Sequence, residues 1–168
     1  RTNFRMPDVY SIALGGGTKI QTDPLKIGPQ SVGYRIFEEG LLFGGNQLTT
    51  TDVAVGLGLA EIGDAAPAKA LGEEKLTEIK AEIDLMILNA VERMRVSPDP
   101  IPVLAVGGGS ILIPDMVGDL PVIRPEHFAV ANAVGAAIGQ ISGEVDRIFS
   151  LDGMTRDEAL AAARKEAT

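Results

Sequence analysis

Residues 101–110 read IPVLAVGGGS, and residues 9–18 read VYSIALGGGT. Each stretch runs a short apolar segment into three glycines and a hydroxyl residue. Such a segment, stopped by a glycine cluster, predicts a buried strand that enters a tight turn. Strands are therefore expected over 9–14 and 101–106, with another over 19–21. Glycines let backbone amides converge on an anion, and the hydroxyl adds a donor. Gly15, Gly16, Gly17 and Thr18 form one candidate phosphate-binding turn, and Gly107, Gly108, Gly109 and Ser110 form a second. The plain alternative is a sharp turn that needs positive φ. Neither turn has the Gly-Lys-Ser/Thr of a Walker loop, and neither has the GxGxxG dinucleotide pattern. Gly56-Leu57-Gly58 is a poor substitute, because it lies inside a helical stretch.

Outward from the first turn, residues 23–47 (DPLKIGPQSVGYRIFEEGLLFGGNQ) are dense in Gly and Pro. They read as loops and short hairpins draped over a site, with β-like runs at 25–27 and 41–43. Thr49, Thr50, Thr51 and Asp52 then precede VAVGLGLAEIG. Thr and Asp side chains accept hydrogen bonds from free amides at a helix start, so a helix is expected here. Gly56 and Gly58 weaken it and point to close packing.

The clearest helical period covers 73–95. Leu76, Ile79, Ile83, Met86, Ile87, Ala90, Val91 and Met94 recur at spacings of three and four and share one face. Glu73 and Glu74 open this helix and Arg93 and Arg95 close it, as the helix dipole favours; Pro98 and Pro100 stop it. Residues 122–124 read as a short edge strand before Pro125. Residues 126–142 read as a helix on which Ala131, Gly135 and Gly139 form a small-residue stripe suited to close packing. Residues 145–151 are strand-like. Thr155 and Glu158 have capping-box spacing before an Ala-rich final helix.

The 168 residues make one ordinary α/β domain, or a large piece of one. With 45% apolar residues the chain supports a substantial core. The 15 basic and 23 acidic residues leave a net charge of −8. That balance argues against nucleic acid or an anionic membrane surface as a partner, since both need a basic face. There is no Cys, which excludes disulfides, thiolate metal sites and thiol nucleophiles. His127 is the sole histidine, so His-rich metal sites are excluded as well. No apolar run approaches the roughly 20 residues that span a bilayer, and RTNFRMPD lacks a signal-peptide core. A cytoplasmic location is expected. The start at Arg1, close to a strand-like run, reads as a piece of a longer protein.

Among single residues, Asp52 is a candidate catalytic carboxylate that orients a water or a magnesium-bound phosphate, with an N-cap as the alternative. Asp8 and Asp23 flank the first glycine turn and are candidate magnesium ligands, or else solvated loop carboxylates. His127 reads as a packing or capping residue, with a catalytic role as the alternative.

Several ordered segments resemble the hydantoinase/oxoprolinase family. SIALGGGTKI resembles its strand with a GGGS-type turn, and IGPQSVGY its VGP-x-SxG segment. LTTTDVAVGLG resembles its T-x-TDA stretch. VLAVGGGSILIP, followed by IRPEHFAVANAVGAAIGQISGEVDRI, resembles its late GGGS, Pro-Glu-His and ANAxGAA region. The correspondence runs from about residue 7 to residue 167, although 67–95 carries no family motif. The resemblance implies the C-terminal portion of an ATP-binding hydantoinase A-type subunit, with the ribonuclease-H-like fold of the actin-like ATPases. It implies ATP and Mg2+ as cofactors, a cyclic amide such as 5-oxoproline or a hydantoin as substrate, and a second subunit or domain as partner. The ring would open after phosphorylation of its amide oxygen. In such folds the late turn, Gly107 to Ser110, packs on adenosine, and the earlier turn, Gly15 to Thr18, lies near the phosphates.

The family's DxGGTxTD phosphate loop is absent; Ala13 stands where its Asp would precede Gly15. The resemblance therefore places that loop upstream of Arg1, and the chain alone is expected to be inactive. An ATP-dependent ketone carboxylase subunit, a non-enzymatic actin-like module and a structural fragment that binds nothing are the competing readings.

Overall fold

A computed structural model describes residues 8–139 and 147–167. The protein is a mixed α/β chain. Its elements are β1 (Thr18–Thr22), β2 (Leu25–Ser31), α1 (Ile36–Glu39), α2 (Thr50–Gly56), α3 (Ala66–Lys69), α4 (Glu73–Met94), β3 (Val103–Leu104), β4 (Met116–Val117), β5 (Leu120–Ile123), α5 (Ala131–Ile138) and α6 (Arg156–Glu166). The chain divides into two compact units, Arg1–Ala131 and Asn132–Thr168. Among the described residues no helix is long and apolar enough to cross a membrane.

The first unit is organised by α4. Its period of three and four places Leu76, Ile79, Ile83 and Ile87 on one buried stripe. They meet Val53 and Ala54 of α2, Ile20 of β1, Leu112 and Val117 in a single core. Each such side chain contributes roughly 1.5–3 kcal/mol on full burial. A smaller cluster joins Leu42, Val55 and Ala68. Helix α2 ends at Gly56, where a Cβ would lie 2.8 Å from Leu76 Cδ1 and 3.3 Å from Ala68 Cβ. Close packing is thus the reason for that glycine. The expected helix does not continue beyond it, because Gly58 turns into the left-handed region at φ 74°.

β1 and β2 form an antiparallel pair, Ile20 opposite Ile27. The second sheet has the order β3-β5-β4. β3 runs parallel to β5 (Val103 opposite Val122) and β4 antiparallel to it (Val117 opposite Leu120). The expected edge strand is therefore the central one. Gly118 and Asp119 form a two-residue turn that folds β4 back onto β5, with Gly118 at φ 59°. Arg95 clips this turn to the end of α4: its guanidinium donates to Asp119 at 2.8 and 3.2 Å and to the Pro98 carbonyl at 2.8 Å.

Other expectations are corrected. Residues 9–14 form no strand: Val9 and Tyr10 are exposed, and no ladder partner lies beside the run among the described residues. The Arg93 guanidinium stacks on the Tyr10 ring, 4.7 Å from its centroid. Residues 41–43 form a 3-10 turn bracketed by Gly40 and Gly44, not a strand. Of 101–106 only Val103–Leu104 is laddered; Pro102, which has no N–H to donate, precedes it, and the Ala105 N–H still reaches the Ile123 carbonyl at 2.9 Å.

Toward the end of the first unit His127 breaks the backbone at φ 62° and a 3-10 turn, Phe128–Val130, follows, so that α5 starts at Ala131, later than expected. Gly135 lies exposed, with nothing among the described residues within 4 Å of a Cβ position. Residues 147–151 are not a strand; 145 and 146, like 140–142, lie outside the described residues. α6 begins with the expected capping box, Thr155 and Glu158 exchanging hydrogen bonds.

Candidate functional site

The first glycine turn is clamped from within. The Gly15 N–H donates to Thr18 Oγ1 at 2.8 Å, and the Thr18 N–H donates to the Gly15 carbonyl at 3.0 Å. The carbonyls of the turn are taken by the threonines that open α2. Thr51 donates to the Gly16 carbonyl from its N–H (3.0 Å) and its hydroxyl (2.8 Å). Thr50 Oγ1 lies within hydrogen-bond reach of both the Gly15 and the Gly16 carbonyls. A Cβ on Gly16 would stand 2.7 Å from Thr51 Oγ1, and one on Gly17 would stand 3.0 Å from Ser31 Oγ. These glycines are required because α2 and the end of β2 close on the turn from both sides. The Thr18 hydroxyl is already engaged by Gly15.

Asp52 is the N3 residue of the α2 capping box and is 1% exposed. Its Oδ2 accepts from the Thr49 N–H (2.6 Å) and hydroxyl (2.7 Å), and its Oδ1 accepts from the Leu42 N–H at 2.9 Å. Both oxygens are thus committed to protein donors. Asp8 and Asp23 are exposed, and among the described residues no group of three or more His, Cys, Asp or Glu side chains gathers to hold a metal. His127 lies on the surface, its Nε2 3.5 Å from Glu126 Oε1.

The second turn is open where the first is closed. Gly107 takes φ 82° and its N–H donates to the Phe128 carbonyl at 2.6 Å. Gly108 and Gly109 have nothing within 4 Å of a Cβ position. The Ser110 side chain is buried, and its Oγ has no hydrogen-bond partner among the described residues. Buried hydroxyls are almost always paired, so this one calls for an explanation.

Folding brings the two turns to one place. Gly15 from the first turn and Gly109 and Ser110 from the second line a common cavity of about 280 Å³, closed by Leu14, Ile87 and Leu112. Its walls are apolar apart from the turns. Ser110 and Ile113 also line a second cleft of about 500 Å³ with Lys80, Asp115, Arg124 and Phe128. In that cleft Arg124 donates to Asp115 Oδ1 at 2.7 Å and to the Ile113 carbonyl, and Lys80 is paired with Asp84.

The two turns and Asp52 stand out in the sequence; the threonine clamp, Lys80 and Arg124 do not. Thr50 and Thr51 stand beside a recognised cap, and their role depends on a turn more than thirty positions away. Lys80 reads as part of the solvated face of α4, and Arg124 as the end of a strand. Comparison with known proteins finds no matching family model, curated protein or solved structure.

Proposed function

We propose that this chain is the C-terminal part of the ATP-binding portion of a hydantoinase/oxoprolinase-type hydrolase, an actin-like ATPase relative that opens a cyclic amide. The observation that carries the reading is the convergence of both glycine turns on one cavity beside the unpartnered Ser110 hydroxyl. Two copies of one sequence device meeting in space is what a shared ligand requires, and the segment-by-segment resemblance supplies its identity. The late turn fits the adenosine side better than the phosphate side. Its glycines leave open space for a flat, weakly polar group, its surroundings are apolar, and Ser110 offers one donor. The first turn supports the cavity wall; its carbonyls and its Thr18 hydroxyl already have partners.

When bound, ATP supplies the phosphoryl group that activates the ring amide for hydrolysis. The chain's own part is binding and positioning, which accelerate a reaction without a protein nucleophile. Asp52 holds the backbone at Leu42 and Thr49 and thereby keeps α2, with its threonines, against the first turn. Phosphate and metal contacts belong to a loop outside this chain in this reading, as does the partner subunit.

Isothermal titration of MgATP and ADP into the chain tests the proposal, beside Gly108→Val and Gly109→Val. Both substitutions enter open space, so the variants keep their fold and obstruct only a ligand. Binding at about 10 µM to 1 mM, roughly −7 to −4 kcal/mol, and its loss in the variants is the expected result. Equal binding in both valine variants, or none in the chain and none in its full-length parent, removes the reading. Substrate assays on the parent separate ring opening from ketone carboxylation.

A further inference from the structure

The cleft on the Lys80 side of Ser110 has a chemistry that the nucleotide reading does not use. Its volume of about 500 Å³ lies in the range of small-molecule sites. Leu59, Ile111 and Phe128 supply apolar wall, and Lys80 and Arg124 supply two cations. The Ser110 hydroxyl is a buried donor without a partner. Each cation is balanced by a carboxylate, but the two carboxylates differ. Asp84 pairs with Lys80 along α4, one turn away. Asp115 has a 91% exposed side chain and holds Arg124 through a single hydrogen bond of 2.7 Å. Arg124 meanwhile stays anchored to the Ile113 carbonyl. A solvated carboxylate on a half-buried, separately anchored guanidinium gains little, because exposed pairs are weak. Another oxyanion can take its place and use the fork geometry of the guanidinium.

We propose that this cleft binds a compact organic oxyanion, a carboxylate or phosphate monoester carried on an apolar body. Arg124 recognises the oxyanion, Lys80 lies on the wall as the second cation, and Leu59 and Phe128 receive the apolar body. Asp115 is the group displaced. The proposal goes beyond the nucleotide reading and does not depend on it.

The test is a titration of the 168-residue chain, followed at the backbone amides of Ser110, Ile111 and Arg124 by NMR, with phenyl phosphate, benzoate and neutral benzamide. The expected result is that at least one of the two anions binds with a Kd of about 0.1–5 mM, well short of the ceiling for so few atoms, while benzamide does not. Preference for phenyl phosphate assigns a phosphate monoester, and preference for benzoate assigns a carboxylate. Arg124→Met weakens binding at least about tenfold, and Asp115→Asn tightens it about threefold by removing the competitor. Asp115→Asn alters an exposed side chain, so it carries the test if Arg124→Met does not fold. The proposal is overturned if neither anion moves these amides, if benzamide binds as well as the anions, or if Asp115→Asn leaves the affinity unchanged. An anion that binds while MgATP and ADP do not retains this site and removes only the nucleotide reading.

Discussion

Replacing Asp52 separates its two possible duties, since a clamp and a catalyst respond differently. In Asp52→Ala the Leu42 and Thr49 amides lose their acceptor, and both residues are buried, at 2% and 0% exposure. A buried donor left unsatisfied costs about 1–3 kcal/mol. Loss of the reciprocal half of the capping box adds about 1 kcal/mol. Partial relaxation toward water trims the total, which we place at about 3–4 kcal/mol. With a urea m-value of about 2 kcal/mol/M, the unfolding midpoint should fall by about 1.5–2 M. Asp52→Asn keeps one oxygen but turns an NH2 toward a backbone N–H, and should lose at least about 1.5 kcal/mol. Far-UV circular dichroism in urea measures both. A Thr49→Val background provides the cycle, in which the two substitutions should couple by about 1 kcal/mol or more. An Asp52→Ala midpoint within about 0.5 M of wild type would refute the reasoning, because the donors would then have found other partners.

Further predictions concern the core, the glycines and pH. Ile83→Ala, at 0% exposure in the α4 stripe, should cost about 2–5 kcal/mol in the same denaturation assay. Gly56→Ala should destabilise by about 1–3 kcal/mol although alanine is the better helix former, because its Cβ meets Leu76 Cδ1 at 2.8 Å; Gly108→Ala, in open space, should lie within about 0.5 kcal/mol of wild type. The Arg95 guanidinium holds the Asp119 carboxyl below its ordinary value, and the Thr155 amide does the same for Glu158. A carboxyl whose folded pKa is lowered stabilises the fold fully above its unfolded pKa, and that contribution disappears as pH falls through the folded value. Thermal melts should therefore decline on acidification below the ordinary carboxylate range near pH 3.8 to 4.5. Asp119→Asn should flatten part of that decline, and an unchanged pH slope would show that the Arg95 clip contributes nothing.

Local signals explain what could be read without coordinates. The 3.6-residue period of 73–95, the Thr and Asp cap before α2 and the Thr155/Glu158 pair are helix properties written within a few residues; α2, α4 and α6 start accordingly, although α2 stops short at Gly56. The close packing at Gly56 is legible for the same reason. Strands are different, since a strand exists only if another backbone lies beside it. Residues 9–14 and 101–106 have similar apolar runs, yet only Val103–Leu104 finds a ladder partner, in β5. That partner looked like an edge strand until the Gly118–Asp119 turn placed β4 on its other side.

The amino-acid sequence by itself determined the starts of α2, α4 and α6, the two glycine turns and the acidic, cysteine-free chemistry, because these depend on neighbours in the chain or on composition alone. Only the tertiary structure decided that the turns share a cavity, that Thr50 and Thr51 close the first while the second stays open, and that Lys80, Ser110 and Arg124 line one cleft. Those are relations between residues far apart in the chain. They are set by how α4 packs into the core against α2, β1 and β4, and no local pattern encodes that arrangement.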